Sequence, residues 1–183
     1  MPLTQTQLKT AADYDRLAEG APVQLIAGEF IISPSPLFIH QKISLYLSKR
    51  LDDFVIERGL GEVCPAPFDV YLTDRDIYQP DILFVSKGHL NWIETNACYG
   101  PPDFVIEILS PSTAYYDLHR KKDAYEKFGV REYWIVDPME ESIETFVNSS
   151  NGYRTNFLGK AGKVCSSVLP EFCVEVEKVF VRR

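Results

Sequence analysis

From Leu37 to about Arg58 the apolar residues Ile39, Ile43, Tyr46, Leu47, Leu51, Phe54 and Val55 recur at helical spacing. They predict the longest helix of the chain, stopped at Gly59. Ahead of it, Ala11 to Glu19 reads as a short helix, followed by a hairpin of VQLI and EFIIS turned at Ala27-Gly28. Ser33-Pro34-Ser35-Pro36 is a rigid connector. Beyond the long helix the period changes to that of strands, at about Phe68 to Thr73 and Tyr78 to Val85, with Thr73-Asp74-Arg75-Asp76 as the turn. A polar loop from Lys87 to Pro101 carries Trp92 and Tyr99, which would border a site. A strand in PPDFVIEIL, a helix ended by Gly129 and a strand from Glu132 to Val136 come next. Ser142 to Val147, Tyr153 to Leu158 and Phe172 to Val176 read as closing strands, with a short terminal helix. Elements in this order predict an α/β (α+β) sandwich around a mixed sheet, residues 1–183 forming one domain.

Two of the apolar runs carry an acid in the middle: Asp81 in YQPDILFVS and Glu107 in FVIEILS. A carboxylate inside an apolar strand is costly to bury without a partner. Alternation places Asp103, Val105, Glu107 and Leu109 on one face of their strand, and Gln79, Asp81, Leu83 and Val85 on one face of theirs. If the strands are neighbours, as consecutive elements usually are, the two acids meet near one end of the sheet. Ser110-Pro111-Ser112-Thr113 then offers a hydroxyl cap for a helix in which Asp117, Lys121 and Tyr125 form one stripe. Two acids with a lysine close behind suggest a divalent metal with a cationic helper. Each residue also has a structural reading: Asp81 as a strand entry, Glu107 with a buried partner, Lys121 as a solvated residue paired with Asp117.

Taken together, Pro80-Asp81, VIEILSPST, Asp117 with Lys121 and Tyr125, and GVREYWIVDP resemble the Uma2 (DUF820-type) family, a branch of the PD-(D/E)XK nuclease superfamily. LIAGEFIISPSP and LPEFCVEVEKVF extend the resemblance over most of the chain. It implies a restriction-endonuclease-like sandwich, with a central mixed sheet flanked by helices and preceded by the N-terminal hairpin. It further implies Mg²⁺ or Mn²⁺ held by Asp81, Glu107 and the backbone carbonyl of Ile108, Lys121 beside the scissile phosphate, and cleavage of DNA. The superfamily's lysine position, two residues after Glu107, holds Leu109. Lys121 on the next helix is therefore the residue carried over, with Lys122 as the fallback. The resemblance also brings His40 and Glu29 near the site, without a role.

The composition is that of an ordinary globular chain, 45% hydrophobic and 25% charged in 183 residues. No run has the length of a signal core or a membrane span, so a cytoplasmic location without membrane contact is expected. The net charge of −7 runs against a nucleic-acid partner. Basic residues at His119 to Lys122, Lys49, Arg50 and Arg58 point to weak, salt-sensitive binding. Cys64, Cys98, Cys165 and Cys173 show no zinc spacing and read as reduced, mostly buried thiols. His40, His89 and His119 read as surface or capping residues, and Asp137 as a strand end before Pro138. Edge strands and exposed Trp92 or Tyr153 would permit a homodimer. A nuclease-like module that binds nucleic acid or protein without cutting is the alternative reading.

Overall fold

The computed structural model describes residues 7–18 and 20–181. Helix α1 (Ala11–Tyr14) is shorter than the sequence predicts, and Glu19, the expected end, lies outside the described residues. Strands β1 (Val23–Ile26) and β2 (Glu29–Ile32) form the expected hairpin, with Ile26 opposite Glu29. Helix α2 (Phe38–Arg58) buries His40, Ile43, Leu47, Leu51 and Val55, spaced three or four apart along one stripe. Gly59 ends it at φ 61°, a left-handed conformation that glycine adopts without cost.

Strands β3 (Gly61–Pro65), β4 (Asp69–Thr73), β5 (Asp76–Tyr78) and β6 (Ile82–Ser86) follow. The expected single strand from Tyr78 to Val85 is thus two strands, broken at Gln79-Pro80-Asp81. Pro80 has no N–H to give a ladder, and the Gln79 N–H goes instead to the Gln24 side chain at 2.9 Å. Strand β3 was not anticipated. The polar loop holds a 3₁₀ turn at Lys87–Trp92 and strand β7 (Ala97–Cys98). Strand β8 (Phe104–Ile108) carries Glu107. The helix after it starts as a π-helical turn, Tyr116–Lys121, and continues as α3 (Lys122–Phe128). Strands β9 (Glu132–Asp137), β10 (Ser142–Ser149), β11 (Gly152–Gly159), β12 (Lys163–Cys165) and β13 (Cys173–Glu175) precede α4 (Val176–Val179). Asp137 does end its strand at a turn, accepting the Met139 N–H at 2.8 Å.

The central sheet has six strands in the order β11-β10-β9-β8-β6-β3, parallel between β8 and β9 and antiparallel elsewhere. Ile82, Phe84, Phe104, Ile106 and Ile108 meet α2 on one face. Leu83, Val85, Val105 and Leu109 meet Tyr125 of α3 on the other, as alternation requires. A second sheet, β2-β1-β5-β4-β7, carries the N-terminal hairpin, and α1 packs on it through Tyr14, Leu25 and Ile77. Among the described residues no helix is long and apolar enough to cross a membrane.

Two of the four cysteines differ from expectation. β12 and β13 pair with Cys165 directly opposite Cys173, and the two form a disulfide. Their sequence spacing carried no sign of this because β12 was not anticipated. Cys64 and Cys98 remain free thiols. Tyr153 is not an exposed aromatic either: it packs on the core and donates its hydroxyl to the Val130 carbonyl at 2.9 Å. Trp92 is half-buried and stacked on His89, ring centroids 4.0 Å apart.

Candidate active site

Asp81 stands where Pro80 has interrupted the strand. Its Oδ2 accepts the Ile108 N–H at 2.7 Å, so the carboxylate does for β8 what a further ladder bond would have done. Glu107 precedes Ile108 on the opposite face, 2% exposed. Its Oε1 accepts from Lys121 Nζ at 2.9 Å and from the Tyr125 hydroxyl at 2.8 Å. Lys121 also meets Asp117 Oδ1 at 2.9 Å. The stripe foreseen on the helix therefore leans over the strand that carries Glu107. Asp81, Glu107, Ile108, Asp117 and Lys121 line one cavity of about 360 Å³, roofed by Ser33 to Pro36 and the start of α2.

The charges in this cavity do not balance. Lys121 is 3% exposed, and although burial works against its charge, Asp117 and Glu107 outweigh burial and hold it protonated. Two acids share that one cation. Burial pushes the Glu107 carboxyl up, Lys121 pulls it down, and Asp117 and Asp81 push it up again, to about 8. Asp117 is raised too, chiefly by burial. On the other side of Asp81, His40 Nε2 stands 3.2 Å from Oδ1. Burial disfavours the imidazolium, but Asp81 and the Ile108 carbonyl outweigh it and raise the pKa. His40 Nδ1 is buried without a partner among the described residues.

The family model described as "Putative restriction endonuclease", Uma2, matches residues 11–177. The chain belongs to the Uma2 family. An uncharacterized Synechocystis protein is 22% identical to it over 170 residues, 90% of this chain and 96% of that one. A crystal structure described as "a putative nuclease belonging to DUF820", from Anabaena variabilis, superposes with a TM-score of 0.79 at 20% identity. It covers 93% of this chain and 97% of its own. The two share the restriction-endonuclease-like fold, a mixed sheet flanked by helices.

Within that Uma2 fold, all three residues nominated from sequence reach the same cavity. Lys121 is not the solvated residue of its structural reading; it is buried between two acids. Lys122 turns away, its Nζ 3.7 Å above the Phe146 ring. Leu109, at the superfamily's lysine position, packs in the core. His40 is not a surface residue, and the signal was available: it stands three positions before Ile43 on the buried stripe of α2. His89 is part-exposed and pairs with Asp103 at 3.0 Å, and His119 is exposed as expected. Glu29 is exposed in β2 and outside the cavity lining. The other basic residues proposed for nucleic acid are scattered: Lys49 pairs with Asp53, and Arg58 covers the Phe54 ring.

The donor set suits a hard divalent cation. No described residue bonds Glu107 Oε2, both hydrogen bonds falling on Oε1. Asp81 and Ile108 line the same cavity. Oxygen donors of this kind favour Mg²⁺ or Mn²⁺ over zinc. A dication there would also offset the burial, and the repulsion from Asp117 and Asp81, that raise Glu107. Among the described residues no three His, Cys, Asp or Glu side chains converge as a cluster able to hold a metal; a third protein ligand for such an ion would have to come from main chain such as the Ile108 carbonyl.

Proposed function

We propose that this chain is a metal-dependent endonuclease that hydrolyses phosphodiester bonds in DNA, with Mg²⁺ or Mn²⁺ held by Asp81, Glu107 and the Ile108 carbonyl. The observation that carries the reading is the burial of Lys121 Nζ against Glu107 Oε1 at 2.9 Å, in the cavity that Asp81 also lines. A fold needs no exposed-type charges at such a place. A phosphate does. When bound, the ion supplies Lewis-acid polarisation and a water of lowered pKa.

The chain's own residues do the rest. Lys121, held protonated by Asp117 and Glu107, offers a fixed positive charge to a phosphoryl oxygen as negative charge develops there. Asp117 positions that ammonium group, and Tyr125 fixes the Glu107 carboxylate from behind. His40 holds Asp81 through Oδ1 while the Ile108 N–H holds Oδ2, which leaves the carboxylate little freedom to turn.

A second reading, a module that binds nucleic acid or protein without cutting, is favoured by the net charge of −7 and by the scattered basic residues. One assay separates the two: cleavage of plasmid and of single-stranded, duplex and branched oligonucleotides with Mg²⁺, Mn²⁺ or EDTA. Metal-dependent cutting lost in Asp81→Asn and Lys121→Ala supports the nuclease. No cutting by folded protein under any of these conditions supports the binding module.

A further inference from the structure

Next to the cavity of Asp81 lies a larger recess of about 730 Å³. Gly20, Ala21, Pro67 and Gln79 form a wall common to both, and Gln79 is two residues from Asp81. The recess contains an aromatic platform. Tyr99 stacks on Tyr71 with ring centroids 4.9 Å apart and an interplanar angle of 29°. Tyr71 is fixed from below by its hydroxyl, which donates to Asp15 at 2.7 Å. Tyr99 is fixed along its backbone, where its N–H donates to the Trp92 carbonyl at 2.7 Å beside the Ile93–Cys98 bridge. Yet Tyr99 remains 42% exposed. A large aromatic side chain held this firmly and left uncovered gains little for folding and is ready to take a flat ring.

The electrostatics say which kind of ring. Among the described residues no Lys, Arg or His lines the recess, whereas Asp15 and Asp69 do. A phosphate is repelled there and an uncharged heterocycle is not. Asp69 Oδ1 is already engaged by the Tyr14 hydroxyl and the Gln79 amide, and Thr95 and Asn96 stand exposed at the rim. We propose that the recess holds an unpaired nucleobase, stacked on Tyr99, from the strand whose phosphate lies at the Asp81–Glu107 site. The substrate is then single-stranded DNA, or duplex with an unpaired stretch, because a paired base cannot leave its stack without cost. The placement of the phosphate rests on the nuclease reading; the base recess itself does not.

The test is therefore a binding measurement in EDTA at low salt, where no cutting occurs. Fluorescence anisotropy of a short labelled oligo(dA) and of the matching duplex would be followed with wild-type protein, Tyr99→Phe and Tyr99→Ala. The single strand should bind more tightly than the duplex. Tyr99→Ala should weaken single-strand binding roughly tenfold, as expected for loss of one base–aromatic stack, and Tyr99→Phe should not. An abasic site moved along the oligonucleotide should find one position that costs the wild type roughly tenfold and costs Tyr99→Ala nothing more. Binding that is flat across the abasic positions overturns the proposal without reference to any variant, as does equal weakening of duplex and single strand. Base-dependent binding by a protein that never cuts in Mg²⁺ or Mn²⁺ sinks the nuclease reading and leaves the recess assigned. Cutting with no base dependence does the reverse.

Discussion

Glu107 and Glu132 stand on adjacent parallel strands, both buried, at 2% and 0% exposure. Their surroundings differ in kind. Glu132 Oε1 accepts the Trp134 indole N–H at 2.7 Å, and its Oε2 accepts from the Ser166 hydroxyl and from the Ser167 and Val168 N–H groups, each at 2.9 Å for the latter two. Neutral donors hold its charge on all sides, and it ties the loop between β12 and β13 to the sheet. Glu107 has a lysine and a tyrosine on one oxygen, two acids nearby, and a cavity in front. Burial of a carboxylate is thus no sign of function by itself. What distinguishes the two is whether the charge is already satisfied or is left in excess beside an open space.

The largest effect separating the two glutamates is expected in catalysis. Glu107→Gln should lower single-turnover cleavage by roughly 10²–10³-fold or more, while its melting temperature holds or rises. The sign of the stability change follows from the pKa: raised to about 8 from 4.5, Glu107 supplies stability that is complete below 4.5 and lost as pH rises through 8. Urea titrations of the metal-free protein across that range should therefore show a smaller alkaline loss in the variant. Unchanged cleavage in folded Glu107→Gln would remove the contrast altogether.

Lys121→Met tests the excess charge from the other side. It leaves Glu107 and Asp117 buried without their common cation and should cost about 3–5 kcal/mol at neutral pH, with Asp117→Asn restoring part of it in the double variant. A free-energy change under about 1 kcal/mol would mean that the cavity is wetter than its geometry implies. Glu132→Gln should show the opposite profile to Glu107→Gln: about 2–3 kcal/mol of stability lost by urea denaturation, with cleavage per folded molecule unchanged. A fall in cleavage without a fall in stability would make Glu132 a functional acid after all.

The smallest effect concerns Asp103, a further buried acid, at the far end of β8 from Glu107. Burial pushes its carboxyl up, but the Ser86 N–H and His89 outweigh burial and hold it below 3.8. Its stabilising contribution is present above that value and fades as pH falls below it. Asp103→Asn should flatten the acid limb of the stability profile and leave the alkaline limb to Glu107. An acid limb identical to wild type would show that His89 and Ser86 contribute nothing through this carboxylate.

Much of the architecture could be read from periodicity alone. The stripe from Ile43 to Val55, the alternation about Glu107 and the four-residue spacing of Asp117, Lys121 and Tyr125 are local patterns, and the backbone geometry that converts them into faces is local too. Asp81 and Glu107 stand out as acids among apolar neighbours, whereas Lys121 is named on the family resemblance and by its spacing alone reads as a solvated partner of Asp117. Tertiary structure decided the rest. Pairing of β6 with β8 sets Asp81 against the Ile108 N–H, pairing of β12 with β13 brings Cys165 to Cys173, and packing of α2 carries His40 onto Asp81. Each joins residues whose separation along the chain holds no record of their distance in space. Whether a buried charge is satisfied depends on those long-range partners, so the sequence could nominate Glu107 and could not show how Glu132 differs from it.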